Sequence, residues 1–186
     1  LASIEAANAT SLSRGPRLDP IGDVRLDQSW GLDHGTWSVL AHAFPKANVP
    51  VVQLSLDASQ PPRYHYDLGA RLAPLRDEGV LIVGSGNVVH NLARIQRSDD
   101  ARPYDWAIRF NEKARAHLAA REHQALIDYL SLGGDARLSV PTPEHYLPLL
   151  YIIAAQGDDE TVSLPVDGIE LGSIGMLTAI VGPQAS

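Results

Sequence analysis

The 186-residue chain carries a formal net charge of -7, with 45% hydrophobic and 20% charged residues, the balance of one soluble globular domain large enough to bury a core. That charge excludes nucleic acid as the main partner, because phosphate binding requires clustered Lys and Arg, and the basic residues Arg109, Lys113, Arg115 and Arg121 alternate with Asp105, Glu112 and Glu122. Cysteine is absent, which excludes disulfides, thiolate metal sites and cysteine nucleophiles together, so any metal must sit on His, Asp or Glu.

Residues 1–23 show no useful periodicity and read as a loosely ordered N-terminal segment; the patterned domain runs over 24–186. No basic-then-apolar leader opens the sequence, and the apolar runs at 80–83 and 146–155 are too short to span a bilayer, so no membrane partner and a cytoplasmic setting are expected. A short helix is predicted over 35–43, stopped by Pro45. Residues 49–57, Val-Pro-Val-Val-Gln-Leu-Ser-Leu-Asp, are apolar and β-rich and predict a buried strand. A helix follows over 61–78, with Pro61 and Pro62 in its first turn, Leu68, Leu72 and Leu75 along one side, a bend at Pro74 and a stop at Gly79. Residues 80–84 predict a second buried strand that leads directly, through 85–92, into another helix.

This strand–helix–strand–helix order predicts an α/β fold, a mostly parallel central sheet flanked by helices in a single domain. Helices are expected over 105–120 and 122–132, the second ended by Gly133 and Gly134. A last helix is expected over 142–155, with Thr142 as N-cap and Pro143 at its first position. The alternating tail over 169–181 predicts one or two closing strands.

Three of the seven histidines stand where loops meet regular structure. His34 lies at the start of the 35–43 helix. His90 follows the C-terminal end of the 80–84 strand, the end at which open α/β sheets bind ligands. His145 is expected in the first turn of the last helix, sharing a face with Leu149 and Ile152, where the helix N-terminus disfavours imidazolium and keeps the ring available as ligand or base. Each residue taken singly is more simply a core histidine bonded to a carbonyl, since sequence does not show convergence. Gly84, Ser85 and Gly86 imitate the start of a dinucleotide loop, but Val89 occupies the third glycine position, and Ser85 lacks the flanking glycines of a nucleophile elbow. The glycines are better read as giving a tight turn that lifts His90 into a cleft. His42, His65, His117 and His123 fall in charged helical stretches and are expected to be exposed or locally packed; Tyr64 and Tyr66, flanking His65, leave open a pocket there.

Three strings stand together: Trp-Gly-Leu-Asp-His-Gly-Thr-Trp at 30–37, Gly-Ser-Gly-Asn-Val-Val-His-Asn-Leu at 84–92, and Pro-Thr-Pro-Glu-His-Tyr-Leu-Pro-Leu-Leu-Tyr at 141–151. With residues 51–57 and 168–173 they resemble the 4,5-DOPA dioxygenase-like branch of the LigB-type (class III) extradiol ring-cleavage dioxygenases. The resemblance implies one non-haem metal ion, Fe(II) or Zn(II), and cleavage of a small DOPA-like catechol beside its diol with O2. It implies His90 and His145 as metal residues and His34 as an acid–base or substrate-orienting residue, with Glu144 a rival ligand. Full-length members carry two further metal histidines near the N-terminus, in His-Gly-Ser-Pro and Ala-His-Trp strings, and neither string occurs in this sequence. The catalytic domain is therefore expected to be N-terminally truncated, holding metal weakly through His90 and His145 alone. The alternative is a catalytically impaired relative acting as a binding or subunit-interaction domain. A sheet edge left open by absent strands would favour a homo-oligomer. A nucleotide-binding enzyme, resting on the broken glycine loop alone, comes third.

Overall fold

The computed structural model describes residue 29, residues 31–98 and residues 100–183. The segment expected to be loosely ordered, 1–23, lies outside the described residues. The described helices are α1 (His34–Ala43), α2 (Pro62–Leu72), α3 (Asp105–Ala119), α4 (His123–Ile127), α5 (Gly134–Ser139) and α6 (Leu147–Ala154), with 3-10 turns at Ala73–Arg76, Leu92–Arg94 and Tyr129–Leu132. The strands are β1 (Glu160–Val166), β2 (Ile169–Glu170), β3 (Ile174–Gly175) and β4 (Thr178–Pro183).

Helix α3 is the centre of the core. Its inward face carries Ala107, Phe110, Ala114 and Leu118, spaced three and four apart, and meets Leu126, Tyr146, Leu147, Leu150 and Ile153 from α4 and the α6 region. Each of the larger fully buried apolar side chains contributes about 1.5–3 kcal/mol relative to exposure. A smaller cluster of Leu72, Leu75 and Tyr151 joins α2 to α6, with Leu54, Leu56, Val80 and Ile82 packed against it.

The predicted mostly parallel central sheet is not formed among the described residues. The strands make two antiparallel pairs, β1 with β4 and β2 with β3. Residues 49–57 and 80–84, the two predicted strands, join no β-ladder among the described residues. Their side chains still alternate: Val80 and Ile82 pack inward, while Leu81 is 70% and Val83 52% exposed. The β pattern is therefore expressed in side-chain direction, but a strand needs a neighbour, and neither segment supplies one to the other.

Other boundaries moved for local reasons. The 61–78 helix tightens into a 3-10 turn where Pro74 removes a backbone donor. The helix expected after Gly84 is absent: residues 85–91 are a loop, with His90 in an isolated bridge to Ile174. The last helix begins at Leu147 rather than at Thr142, so His145 stands in a turn ahead of it, closed by the Tyr146 and Leu147 amides donating to the Pro143 carbonyl at 2.8 and 2.9 Å.

Candidate active site

Three segments distant in sequence converge on His90. Its amide donates to the Ser139 carbonyl at 2.8 Å on one side. On the other side the Gly175 amide donates to Val89, the Asn91 amide donates to Ser173, and the Ser173 hydroxyl donates back to the Asn91 carbonyl at 2.8 Å. Asn87 and Asn91 extend the clamp by donating their side-chain amides to the Gly175 and Leu138 carbonyls, each at 2.7 Å. These hydrogen bonds fix the backbone on both sides of His90, and so fix where its ring emerges.

The loop lies directly on the turn that carries His145. The Asn87 amide donates to the His145 carbonyl at 2.8 Å. A Cβ at Gly86 would fall 2.2 Å from that same oxygen, and one at Gly84 would fall 2.8 Å from the Pro148 carbonyl. Close approach, rather than a special backbone angle, is what demands glycine at these two positions. The result is that the His90 and His145 rings stack, with centroids 3.6 Å apart and planes inclined by 18°.

Glu144 adjoins the pair. Its carboxylate accepts from the Thr142 hydroxyl at 2.6 Å. Burial alone would raise this carboxyl, but the Thr142 hydroxyl, its own backbone amide and the charges of His145 and His90 hold it below the ordinary value. Burial, and secondarily the neighbouring His145, lowers the affinity of His90 for its second proton, against the opposing pull of Glu144. A neutral ring with an available lone pair is the consequence.

His34 stands beside this loop. It opens α1, where Asp33 caps the helix by accepting from the Thr36 amide at 2.9 Å. Gln53 anchors that cap, its Oε1 accepting from the Asp33 amide and the Thr36 hydroxyl at 3.0 and 2.8 Å. The Ser85 hydroxyl donates to the Gly35 carbonyl at 2.8 Å, tying α1 to the 84–90 loop. The His34 ring itself is exposed.

The donor chemistry suits a borderline divalent metal, since two imidazoles and a carboxylate lie together. Parallel stacked rings direct their in-plane lone pairs side by side, so one ring must turn for both to face a single ion. Among the described residues no group of three or more His, Asp or Glu side chains is arranged to hold a metal.

The remaining histidines divide by packing. His65 is fully buried, its Nδ1 2.9 Å from the Tyr151 hydroxyl. His123 bridges the Tyr66 hydroxyl and Gln156, His117 meets Glu122, and His42 is exposed. Sequence reasoning missed the clamp residues Asn87, Asn91, Ser139 and Ser173; the paired polar residues flanking His90 in the 84–92 string were the available signal.

The family described as the catalytic LigB subunit of aromatic ring-opening dioxygenase matches residues 18–180, and the chain belongs to that family. It is 48% identical over 169 residues to a 4,5-DOPA dioxygenase extradiol of Escherichia coli (strain K12), a match covering 89% of this chain and 62% of that protein. A protein of the same name from Beta vulgaris is 37% identical over 142 residues, covering 76% of this chain and 52% of its own length. A crystal structure of an uncharacterized protein from Escherichia coli K12 superposes with a TM-score of 0.81 at 46% identity, covering 88% of this chain and 69% of that one. The chain thus spans between half and two thirds of the curated relatives' length.

Proposed function

We propose that this chain carries the ring-opening portion of an extradiol dioxygenase acting on a small DOPA-like catechol with O2, through one Fe(II) or Zn(II) ion to which His90 and His145 contribute. The stacked His90–His145 pair, clamped from three directions beside Glu144, is the observation that carries this reading. A metal at this position would supply Lewis acidity toward the two catechol oxygens and a binding place for O2. The overall change is the cleavage of the carbon–carbon bond beside the diol, with both oxygen atoms of O2 entering the product.

The chain's own residues act around that reaction. His90, kept neutral by burial, presents a lone pair rather than a charge. His34, on the helix that Ser85 ties to the 84–90 loop, would accept a catechol proton once substrate is bound. Glu144 either completes the ligand set or receives a proton from the diol; its ionised state serves both roles. The 85–90 and 139–146 backbones hold His90 and His145 in place.

Anaerobic loading with Fe(II), then addition of L-DOPA and O2, tests the reading by the appearance of a coloured ring-opened product. The two additional histidine strings of the family are fused upstream for this assay. Absence of product from that fusion, correctly folded and metal-loaded, refutes it. A second reading, a non-catalytic binding or subunit-interaction domain, is favoured by the two-imidazole donor set; a purified chain that retains no stoichiometric metal after loading would support it.

A further inference from the structure

The segment 137–147 does more than clamp His90 through the Leu138 and Ser139 carbonyls. Together with Pro62 at the start of α2 and the 3-10 turn at Tyr129–Leu132, it walls a cavity of about 450 Å3. That volume falls in the range of ~300–1,000 Å3 found for small-molecule sites. Val140, Pro141, Pro143 and Leu147 give the cavity an apolar surface. Two polar side chains on its wall are unspent. Arg137 is exposed, and no carboxylate among the described residues pairs with its guanidinium. Tyr129 is only 4% exposed, with its ring 4.3 Å from that of Tyr146, and its hydroxyl has no hydrogen-bond partner among the described residues. A buried hydroxyl left without a partner is uncommon in a folded protein. Burial, and secondarily the Glu144 carboxylate, raises this hydroxyl above its ordinary value, so it remains a donor at neutral pH.

We propose that this cavity binds a small aromatic monocarboxylate, with Arg137 and Tyr129 holding the carboxylate and the Val140–Pro143 wall taking the ring. Charge and shape select that class. A guanidinium is a planar fork that matches a carboxylate through two parallel bonds, and the phenol adds a further donor. One unpaired cation neutralises one negative charge, which disfavours polyphosphates. Proline and aliphatic surface suits a flat apolar body and offers a sugar no partners. The cavity neighbours the imidazole pair, since Pro143 and Leu147 bracket Glu144 and His145 in the chain and the Glu144 charge acts on both Tyr129 and His90. Binding of the acid is independent of the catalytic reading. The claim that its natural occupant is the carboxylate end of the catechol substrate rests on that reading.

Calorimetric titration of the metal-free chain with 3-phenylpropanoate, which has no diol to chelate a metal, tests the binding. The acid should bind at least tenfold more tightly than 3-phenylpropanamide, and at least tenfold more tightly than acetate. Arg137→Gln should remove the preference for acid over amide, and Arg137→Lys should restore part of it. Arg102→Gln, at an exposed arginine outside the cavity, should leave it intact. Equal affinity for acid and amide in the parent, or an undiminished preference in Arg137→Gln, overturns the proposal. In the metal-loaded fusion, Arg137→Gln should raise KM for 3-(3,4-dihydroxyphenyl)propanoate at least tenfold with little change in kcat, and leave catechol itself unaffected. Acid binding without that rise in KM keeps the subsite and overturns its link to the substrate. A fusion that makes no product refutes the dioxygenase reading, while the acid–amide preference still decides the subsite.

Discussion

Replacing Gly86 by alanine offers the most direct test of how the imidazole pair is held. The added Cβ would lie 2.2 Å from the His145 carbonyl oxygen, about 1 Å inside van der Waals contact, and the obstacle is backbone rather than a side chain that can swing away. Relief requires the 84–90 loop to lift from the 143–146 turn, which breaks the 2.8 Å Asn87–His145 hydrogen bond and parts the stacked rings. Overpacking of this kind costs about 1–3 kcal/mol and the lost hydrogen bond about 1 kcal/mol more. For a domain of this size each kcal/mol lowers Tm by roughly 2–4 °C, so a drop on the order of 5–10 °C is expected by differential scanning calorimetry. Zinc affinity should fall at least tenfold in the same variant. Gly134→Ala, where nothing lies within 4 Å of the new methyl group, is the control and should leave both readouts unchanged. A Gly86→Ala protein as stable as its parent and binding zinc equally well would refute the claim that loop-to-turn contact sets the imidazole geometry.

Three further outcomes are expected. His90→Ala and His145→Ala should each abolish ring-opened product in the metal-loaded fusion and weaken metal binding by at least tenfold, while thermal unfolding moves little; a variant with full activity removes that residue from the proposed site. Glu160→Gln should cost about 1–2 kcal/mol at neutral pH, because Glu160 receives two charge-assisted bonds from Arg76 at 2.5 and 2.6 Å. The Arg76 bonds hold the Glu160 carboxyl down at about 2, so this contribution is complete above the ordinary carboxylate value of 4.5 and fades as pH falls toward 2. The variant's urea-unfolding free energy should therefore lose less between pH 5 and pH 2 than the parent's; equal slopes would count against the pair. Tyr151→Phe should cost about 1–3 kcal/mol by leaving the buried His65 Nδ1 without its partner. Burial also lowers His65 below its ordinary value of 6.5, so acidification below that value should destabilise the parent; an unchanged unfolding midpoint for the variant contradicts the buried pair.

The helical half of the molecule was legible because its signals are local. The spacing of Ala107, Phe110, Ala114 and Leu118 is enough to define α3, whereas the helix expected over 122–132 divides into α4 and the 3-10 turn at Tyr129–Leu132, and Gly134, expected to end it, opens α5. The sheet was not legible, because pairing is a relation between segments: residues 51–57 and 80–84 have the composition of strands, and nothing local reveals whether a neighbour is present. Strand β1 escaped notice because Pro165 interrupts its Glu-Thr-Val-Ser-Leu-Pro-Val pattern, which the structure accommodates with a register irregularity between Ser163 and Val166. At the site, His90 and His145 were singled out by their loop settings and do meet. Their contact depends on carbonyl positions at Ser139, Gly175 and His145, which no side-chain pattern encodes. His34 was expected in the same cleft, and the Asp33 cap and the Ser85–Gly35 bond set that end of α1 beside the 84–90 loop.

The clamp on His90 also has a temporal meaning. Its backbone is secured by Ser173 and Gly175, more than eighty residues further along. During vectorial synthesis the α3-centred core can collapse while 173–175 are still inside the ribosome, but the 84–91 loop cannot yet be locked. The stacked imidazoles are therefore expected to be secured among the last events of folding, and nascent chains that stall before residue 173 should be compact and helical with fast amide exchange at 84–91.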